Sequence, residues 1–339
     1  MSISGLEAIV ERLGQAKLLV LGDLRLERVL RGETVGAGLG PRPPASGRAE
    51  GRDDQEIVPY GSAGVLRLRA TERRARVGGA GGVACAAAAI GAQVCAAGVL
   101  GQDARSGDLL RALGQAGVDA FGAVSAPGSA TAESLVVECD PEGSVPWSGI
   151  EIDISPPPPL AGAPAQEMLA HIEALFGRVD VLTIITPQAA ARDALSRAAE
   201  FARGRGKPIV GGHIHGWLPP CDLVVLRAPG AAEGAAGEDH PENHPRRLME
   251  EMGHKAVMAP CVGPGFAVYR AGAAESEFVA ARGECGSRVW DYLLAGVAAA
   301  VAVGAEPLAA ARIGAAAATA ATAQQPITPD AIKRELTNA

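Results

Sequence analysis

The sequence predicts an α/β fold in which a mostly parallel sheet lies between two layers of helices. Short apolar runs of strand length, such as "LLVL" at 18–21 and "VDVLTII" at 179–185, alternate with amphipathic or alanine-rich segments of helical length over most of the chain. This alternation is typical of parallel sheets, because each parallel pair needs a crossover, usually a helix. A chain of 339 residues with 48% hydrophobic residues can bury one large core, and we interpret residues 1–339 as a single domain.

The first part of the chain supplies strands, one insertion and a glycine-rich turn. The apolar run at 16–23 predicts a buried strand that ends in a turn, and residues 31–55 are rich in Gly, Pro and charge, which favours a flexible insertion. Apolar and charged residues alternate at 65–76, as in a half-exposed pair of strands. The "GGAGG" turn at 78–82 then opens an alanine-rich helix, which a buried strand and the helix "SGDLLRALGQAGVD" follow.

The second part returns to alternating strands and helices. Residues 131–154 predict strands and turns, and "ISPPPP" predicts a stiff linker. Helices and strands then alternate up to "CDLVVL", and residues 230–245 are interpreted as a loop. Two further strands and two alanine-rich helices, which end near residue 322, complete the predicted fold.

Composition excludes several classes of function. A formal net charge of −7 gives no electrostatic footprint for nucleic acid, and the longest uncharged apolar run is too short to span a membrane. Six cysteines without a CxxC pair argue against a zinc site and a disulfide framework, and the N-terminus lacks the layout of a signal peptide, so a cytoplasmic protein is expected. The pairs His213/His215 and His240/His244 raise a metal hypothesis; surface histidines are the alternative, and no metal site is predicted from them.

Four stretches in a fixed order carry a family resemblance. They are "LLVLGDLRLERVLRGE", the run from "EIVPYGSAG" to "GVLGQD", "SGDLLRALGQAGVD", and "DYLLAGVAAAVAVGAEPLAAARIGAAAATAA". Over about residues 17–329 they resemble the ribokinase/PfkB family of carbohydrate kinases, and within it the heptose 7-phosphate kinase domain of bifunctional ADP-heptose synthesis enzymes. The resemblance implies a ribokinase-like three-layer α/β/α fold, with a small β lid at about 57–77 and 131–154. It also implies a sugar or sugar-phosphate ligand, ATP and Mg²⁺ if the protein is active, and a homodimer through the lid strands or pairing with a paralogue.

The resembled family carries its catalytic acid in a Gly-Ala-Gly-Asp turn that opens a helix. Matching "LLAG" places Asp291 on that acid, which takes the proton from the sugar hydroxyl, and Arg288, Val289 and Trp290 on the three small residues before it. An alternative register places "GECG", with Gly286 as its last residue, on the anion hole and Ser287 on the acid. Taken over the two registers, the candidate nucleotide-binding residues are Gly286, Ser287 and Trp290, together with Glu233. Asp291 is also explained as an acid that stabilises a helix N-terminus.

The other positions of the resemblance are depleted in the same way. Asp23, Gly78, Gly79 and Gly82 are the candidate substrate-binding residues; Gly82 stands where the family has an Asn, and Asp23 is also explained as a turn residue. The stretch that carries a Lys and an Arg near the substrate phosphate aligns on "TAESLVV", where Ala132, Glu133 and Ser134 bring no positive charge. Glu233 would stand for the acid of an Asn-x-x-Glu motif whose Asn is missing.

Three functions remain open from these residues. The leading hypothesis is a degenerate sugar-kinase homologue, a pseudokinase with a binding or scaffolding role. The second is an active ATP-dependent kinase of a heptose-phosphate type, with Asp291 as base and Asp23 holding the sugar. The third is a structural subunit that pairs through its lid strands.

Overall fold

The computed structural model describes residues 2–34, 68–139, 149–185, 192–213, 217–227, 245–261, 264–282, 287–322 and 327–338. In the first half of the chain the elements are, in order, α1 (Ile3–Val10), β1 (Lys17–Leu21), β2 (Leu24–Thr34), β3 (Leu68–Gly79), α2 (Ala80–Ala89), β4 (Gln93–Gly101), α3 (Ala104–Gln115), β5 (Val118–Ala126), β6 (Ala132–Cys139) and β7 (Gly149–Ser155).

The second half of the chain is richer in helices. Its elements are α4 (Gly162–Leu175), β8 (Val181–Ile185), α5 (Arg192–Gly204), β9 (Ile209–His213), β10 (Leu223–Leu226), α6 (Pro245–Met252), β11 (Ala256–Pro260), β12 (Gly265–Arg270), β13 (Glu277–Ala280), α7 (Ser287–Ala302), α8 (Pro307–Thr322) and α9 (Pro329–Asn338). None of the described helices is both long and apolar enough to cross a membrane.

In the described part of the chain, nine strands form the central sheet, in the order β13-β12-β11-β10-β9-β8-β1-β4-β5. The seven strands from β11 to β5 are parallel, while β12 and β13 pair antiparallel at one edge. β1 lies between β4 and β8, with Leu21 opposite Ala97 on one side and Ile184 on the other. The predicted, mostly parallel sheet is confirmed.

Helices cover both faces of this sheet, as the three-layer prediction requires. Val20 and Val210 on one face pack into a core with α2, α7 and α8, and Leu19 and Leu182 on the other face pack into a core with α4 and α5. The alanine-rich helices approach closely: a β-carbon on Gly296 would lie 3.0 Å from the Cα of Gly314. Alanine and glycine are found here instead of aromatic residues, because the helices pack so closely that no room remains between them for a large side chain.

The chain divides into two compact units, one of residues 1–27, 76–134 and 154–339 and one of residues 28–75 and 135–153. A second sheet has the strand order β3-β2-β6-β7. The expected pair of strands at 65–76 is wrong for the described residues, since Leu68–Gly79 is one continuous strand. The expected insertion at 31–55 is also wrong at its start, because residues 31–34 belong to β2; residues 35–55 lie outside the described residues. The single domain with a β lid stays a prediction.

Candidate functional site

The strand order locates a crevice at the carboxyl end of the central sheet. From β1 the chain continues to β4 on one side, and β8 lies on the other side, so the topology reverses between β1 and β8. Open α/β sheets bind ligands at such a reversal, outside the carboxyl ends of the strands. Gly22 follows β1 directly at this point: a β-carbon there would lie 2.6 Å from the carbonyl oxygen of Ile185 and 3.1 Å from Cβ of Ala80. The ends of β1 and β8 therefore meet the start of α2.

The glycine-rich turn before α2 holds Asp23 against this crevice. The Ala80 N–H donates to the Asp23 carbonyl oxygen at 2.9 Å. Gly79 has φ +59°, and a β-carbon on it would lie 2.4 Å from that same oxygen, so glycine is required both by conformation and by space. A β-carbon on Gly78 would lie 2.0 Å from Oε1 of Glu27. The turn thus connects Asp23 with a carboxylate that the sequence analysis did not select.

Asp291 reaches the same place from α7. A β-carbon on Gly82 would lie 2.6 Å from Oδ2 of Asp291 and 3.2 Å from its Cγ, so the carboxylate lies directly on the first turn of α2. Cys85, one turn further along α2, is affected by the same charge: burial, and then the negative charge of Asp291, raise its pKa to about 11. The thiol of Cys85 is therefore protonated at neutral pH.

The residues that precede Asp291 are helical. α7 begins at Ser287, so Arg288, Val289 and Trp290 form its first turn and not the glycine-type turn of the resembled family. Only the first turn of a helix leaves its N–H groups without intrahelical partners, and these groups are centred on Ser287–Val289. Four residues of helix correspond to a rise of about 6 Å between Ser287 and Asp291. The free N–H groups therefore lie about one helical turn before the acid along the axis of α7.

Trp290 fills space beside the end of β9. Its side chain is only 2% exposed, and a β-carbon on Gly212 would lie 2.8 Å from Cη2 of its ring and 2.5 Å from Cδ2 of Leu294. Its Nε1 is buried without a hydrogen-bond partner in the described part of the chain. Arg288, by contrast, is exposed, with its guanidinium carbon 5.9 Å from the ring centre of Tyr292. The ring of Trp290, not the charge of Arg288, therefore faces the interior.

Two ion pairs, each with a buried carboxylate and a partly exposed arginine, lie in the described part of this edge, and neither was predicted as a pair from the sequence. Nε of Arg76 lies 2.6 Å from Oε2 of Glu27, and Nε of Arg105 lies 3.0 Å from Oε2 of Glu133. Glu27 is 7% exposed and Glu133 is 2% exposed. Each glutamate lies within a strand, and this was the signal that the sequence offered. A carboxylate that is buried in a strand needs a positively charged partner, because carboxylates are almost never buried unless they are paired.

Asp103 anchors the second pair to the central sheet. Thr131 donates to Asp103 through its hydroxyl at 2.6 Å and through its N–H at 3.1 Å, and the Thr131 hydroxyl accepts from the N–H of Gly101 at the end of β4. Burial raises the pKa of Asp103, but the hydrogen bonds from Thr131 and Ser106 and the charge of Arg105 outweigh it and leave the pKa below its ordinary value. The carboxylate is therefore the stable form at this site.

The candidate residues from the sequence fall into three groups. One contiguous cluster joins six of them, namely Asp23, Gly78, Gly79, Gly82, Asp291 and Trp290. Ser287 is the first residue of α7, whereas Glu233 and Gly286 lie outside the described residues. The roles assigned to these residues stay predictions.

Metal ligands do not converge in the described residues. No group of three or more His, Cys, Asp or Glu side chains there has the arrangement of a metal site. His215, His240 and His244 lie outside the described residues, so the metal hypothesis that they raised is not tested by this structure.

Known proteins were compared with the chain by sequence and by structure. No family model matches it. The bifunctional protein HldE of Trichlorobacter lovleyi is 31% identical over 151 residues, which are 42% of this chain and 26% of that protein. Ribokinase of Arabidopsis thaliana, in complex with ribose and ATP, superposes with a TM-score of 0.62 at 16% identity over 95% of this chain and 98% of its own. The tetrameric inhibited form of Escherichia coli phosphofructokinase-2 gives a TM-score of 0.65 at 15% identity, again over 95% and 98%.

These likenesses confirm the ribokinase-like fold. At 15–16% identity the solved structures carry the fold alone, and the expected resemblance to ribokinase/PfkB kinases is confirmed at that level. The match to HldE supports the expected relation to heptose kinases, but it spans only about a quarter of that protein.

Proposed function

We propose that this chain is a carbohydrate-binding homologue of the ribokinase-fold sugar kinases that transfers phosphate slowly or not at all. The observation that carries the proposal is the helical first turn of α7, Ser287 to Trp290, directly before Asp291. Phosphoryl transfer depends on positioning and charge stabilisation at one place, and the removal of a single anion-hole donor typically costs ~10²–10³ in rate. Here the free N–H groups of α7 are separated from the acid by about one helical turn.

Trp290 supports the same proposal from the side of the ligand. The indole ring packs against Gly212, where a β-carbon would already lie within 2.8 Å of the ring, so no free volume remains between α7 and the end of β9 at this point. A nucleoside triphosphate placed against this part of α7 would meet the ring of Trp290. A sugar held by Asp23 and the turn before α2 does not need this space.

Titration calorimetry of the purified chain with Mg-ATP and Mg-ADP tests the proposal, followed by a coupled assay over a panel of sugars and sugar phosphates. We expect no nucleotide binding up to millimolar concentration and no turnover. Sugar phosphorylation at about 1 s⁻¹ or faster, the range of working kinases, would overturn the proposal.

An active ATP-dependent sugar kinase is the second candidate, because Asp291 retains a position that a base would need. Its carboxylate contacts the first turn of α2, in the same cluster as Asp23. In that case ATP and Mg²⁺ are the cofactors and Asp291→Asn abolishes turnover, while the circular dichroism spectrum stays unchanged. Turnover that survives in Asp291→Asn would exclude this candidate.

Two further parts of the proposal concern assembly and location. Ile152 and Ile154 are 47% and 50% exposed on β7, an edge strand of the four-stranded sheet, which supports pairing of this sheet with a second copy of the chain or with a paralogue. Sedimentation velocity checks this, since a strictly monomeric chain without a partner contradicts it. Four described cysteines are free thiols, which supports the cytoplasm as the compartment: Cys85, Cys95, Cys221 and Cys261.

A further inference from the structure

Two deeply buried glutamates lie at the carboxyl edge of the central sheet, where the proposed carbohydrate site is. Glu27 belongs to β2 and Glu133 to β6, and at 7% and 2% exposure both are more than nine-tenths buried. Each holds one arginine in an ion pair. A buried carboxylate is retained only with such a partner, so the pairs are fixed parts of the site.

Glu27 is integrated into the turn that contacts Asp23. One of its oxygens accepts from Arg76 at 2.6 Å, and the other lies where a β-carbon of Gly78 would come within 2.0 Å. The carboxylate thus borders the Gly78–Gly79 turn and holds the Arg76 guanidinium beside it. Arg25 approaches the same turn, because a β-carbon on Gly79 would lie 3.4 Å from its Cγ.

Glu133 has the corresponding position on the side of β4. Arg105 is held by two carboxylates, at 3.0 Å from Oε2 of Glu133 and 3.7 Å from Oδ2 of Asp103. Asp103 is tied through Thr131 to the end of β4. β4 adjoins the crevice because a β-carbon on Gly98 would lie 2.4 Å from the carbonyl oxygen of Gly22.

The described charges at this edge favour an uncharged ligand. Its named residues carry five carboxylates against three guanidinium groups: Asp23, Glu27, Asp103, Glu133 and Asp291, and Arg25, Arg76 and Arg105. A phosphate ester carries about −1.5 to −2 charges at neutral pH and is bound through cations or N–H groups. Arg76 and Arg105 are 20% and 35% exposed, but each already lies with its Nε against a buried carboxylate, which offsets the positive charge that a phosphate would meet there.

We infer that this site takes an unphosphorylated polyhydroxy ligand, a sugar or polyol, and that Glu27 and Glu133 are specificity-determining residues that reject sugar phosphates. Carboxylates accept hydrogen bonds from sugar hydroxyls. The inference rests on the proposed function, because it takes this edge as the carbohydrate site, and it departs from the heptose-phosphate ligand that the family resemblance implies.

Calorimetric titration of the full chain with unphosphorylated aldoses, ketoses and polyols of five to seven carbons, with their phosphate esters, and with inorganic phosphate tests the inference. We expect at least one unphosphorylated compound to bind about tenfold or more tightly than its ester, and inorganic phosphate not to bind at millimolar concentration. An ester that binds as tightly as its parent sugar overturns the inference, as does a set of unphosphorylated compounds of which none binds.

Glu133→Gln tests the proposed cause. The amide keeps the shape of the side chain but removes the nearer of the two carboxylate charges that Arg105 faces, so the affinity for inorganic phosphate and sugar phosphates should rise about tenfold. Glu173→Gln is the matched control, because it releases Arg205, 3.6 Å away on the surface, without a change at the crevice. If Glu133→Gln does not fold by circular dichroism, Glu27→Gln releases Arg76 for the same measurement. A folded variant without gain for phosphate overturns the assignment of these residues.

The outcomes separate this inference from the proposed function. Tight binding of a sugar phosphate without ATP-dependent turnover refutes the ligand class but not the loss of catalysis. Phosphorylation of an unphosphorylated sugar refutes the loss of catalysis but not the ligand class.

Discussion

Gly82→Ala tests how closely α2 and α7 pack. Its effect on the free energy of unfolding should reverse in sign when the side chain of Asp291 is removed. The new β-carbon would lie 2.6 Å from Oδ2 of Asp291, whereas real β-carbons essentially never come closer than 3.0 Å, so the carboxylate has to move by about 0.4 Å. The Asp291 Cγ and the carbonyl oxygen of Val77 would each lie 3.2 Å from the new β-carbon, so they add to the crowding. Overpacking of this kind costs ~1–3 kcal/mol, while the change from Gly to Ala inside a helix contributes ~1 kcal/mol of stability. The variant should therefore lose up to ~2 kcal/mol in its free energy of unfolding.

The background Asp291→Ala removes the atoms that clash. There Gly82→Ala should be neutral or stabilise the protein by up to ~1 kcal/mol, which gives a coupling of ~1–3 kcal/mol between the two positions. Urea denaturation of the four proteins, followed by far-ultraviolet circular dichroism, provides the free energies. Gly107→Ala is the control: it lies within α3, where a β-carbon meets no atom within 4 Å, so it should stabilise both backgrounds alike. A coupling below ~0.5 kcal/mol would refute the contact between the first turn of α2 and Asp291.

Three further predictions concern the same edge. Asp291→Asn should lower the pKa of Cys85 from about 11, because it removes the negative charge that adds to the effect of burial. The pH dependence of iodoacetamide labelling, read by peptide mass spectrometry, checks this; the labelling of Cys95, whose pKa of about 11 has other causes, must not change. The lowered pKa of Asp103 contributes stability that is present above its ordinary value of 3.8 and is lost as the pH falls through the lowered pKa, so Asp103→Asn should flatten the acid limb of a stability–pH profile; an unchanged limb contradicts this. Trp290→Phe should cost at most ~2 kcal/mol in urea denaturation, because the smaller ring loses contacts but also removes an indole N–H whose burial costs ~1–3 kcal/mol; a loss above ~4 kcal/mol would mean that this N–H is satisfied.

Much of the fold could be predicted from the sequence because its inner strands are buried on both faces. β1, β8 and β10 are nearly continuous apolar runs, and such runs identify strands of a parallel sheet without further information. The helices α7 and α8 were predicted from their alanine content.

Other elements carried too little pattern. α6 has only Leu248 and Met249 buried and follows directly on a polar, glycine-rich stretch, and β13 has four residues of which only Val279 is buried. Segments this short are specified by what they pack against, and periodicity cannot identify them.

In the candidate site, too, some features could be predicted from the sequence and others could not. Gly79 could be predicted as a turn residue, since glycine-rich turns before helices follow from local conformation. The ion pairs could not, because they join residues 49 and 28 positions apart, Glu27 with Arg76 and Glu133 with Arg105, and only the folded chain brings them together. The helical start at Ser287 also went against the family pattern. With Arg, Val and Trp in place of small residues, the backbone gains more from helical hydrogen bonds and from the burial of Trp290 than from an open turn.

Two features at opposite ends of this edge both reduce the number of groups that could bind an anion. At the start of α7 the helical turn from Ser287 to Trp290 places the free N–H groups about one turn before the acid, and the indole of Trp290 is buried beside it. Around β2 and β6 buried carboxylates pair with Arg76 and Arg105, two of the described arginines at this edge. If only catalysis had been lost, the second change would not be required, because the capacity to bind a phosphate does not depend on transferring one. Because both features leave fewer partners for anions at this edge, the proposed function offers one explanation for both: we propose that the ligand and any co-ligand of this edge carry no phosphate.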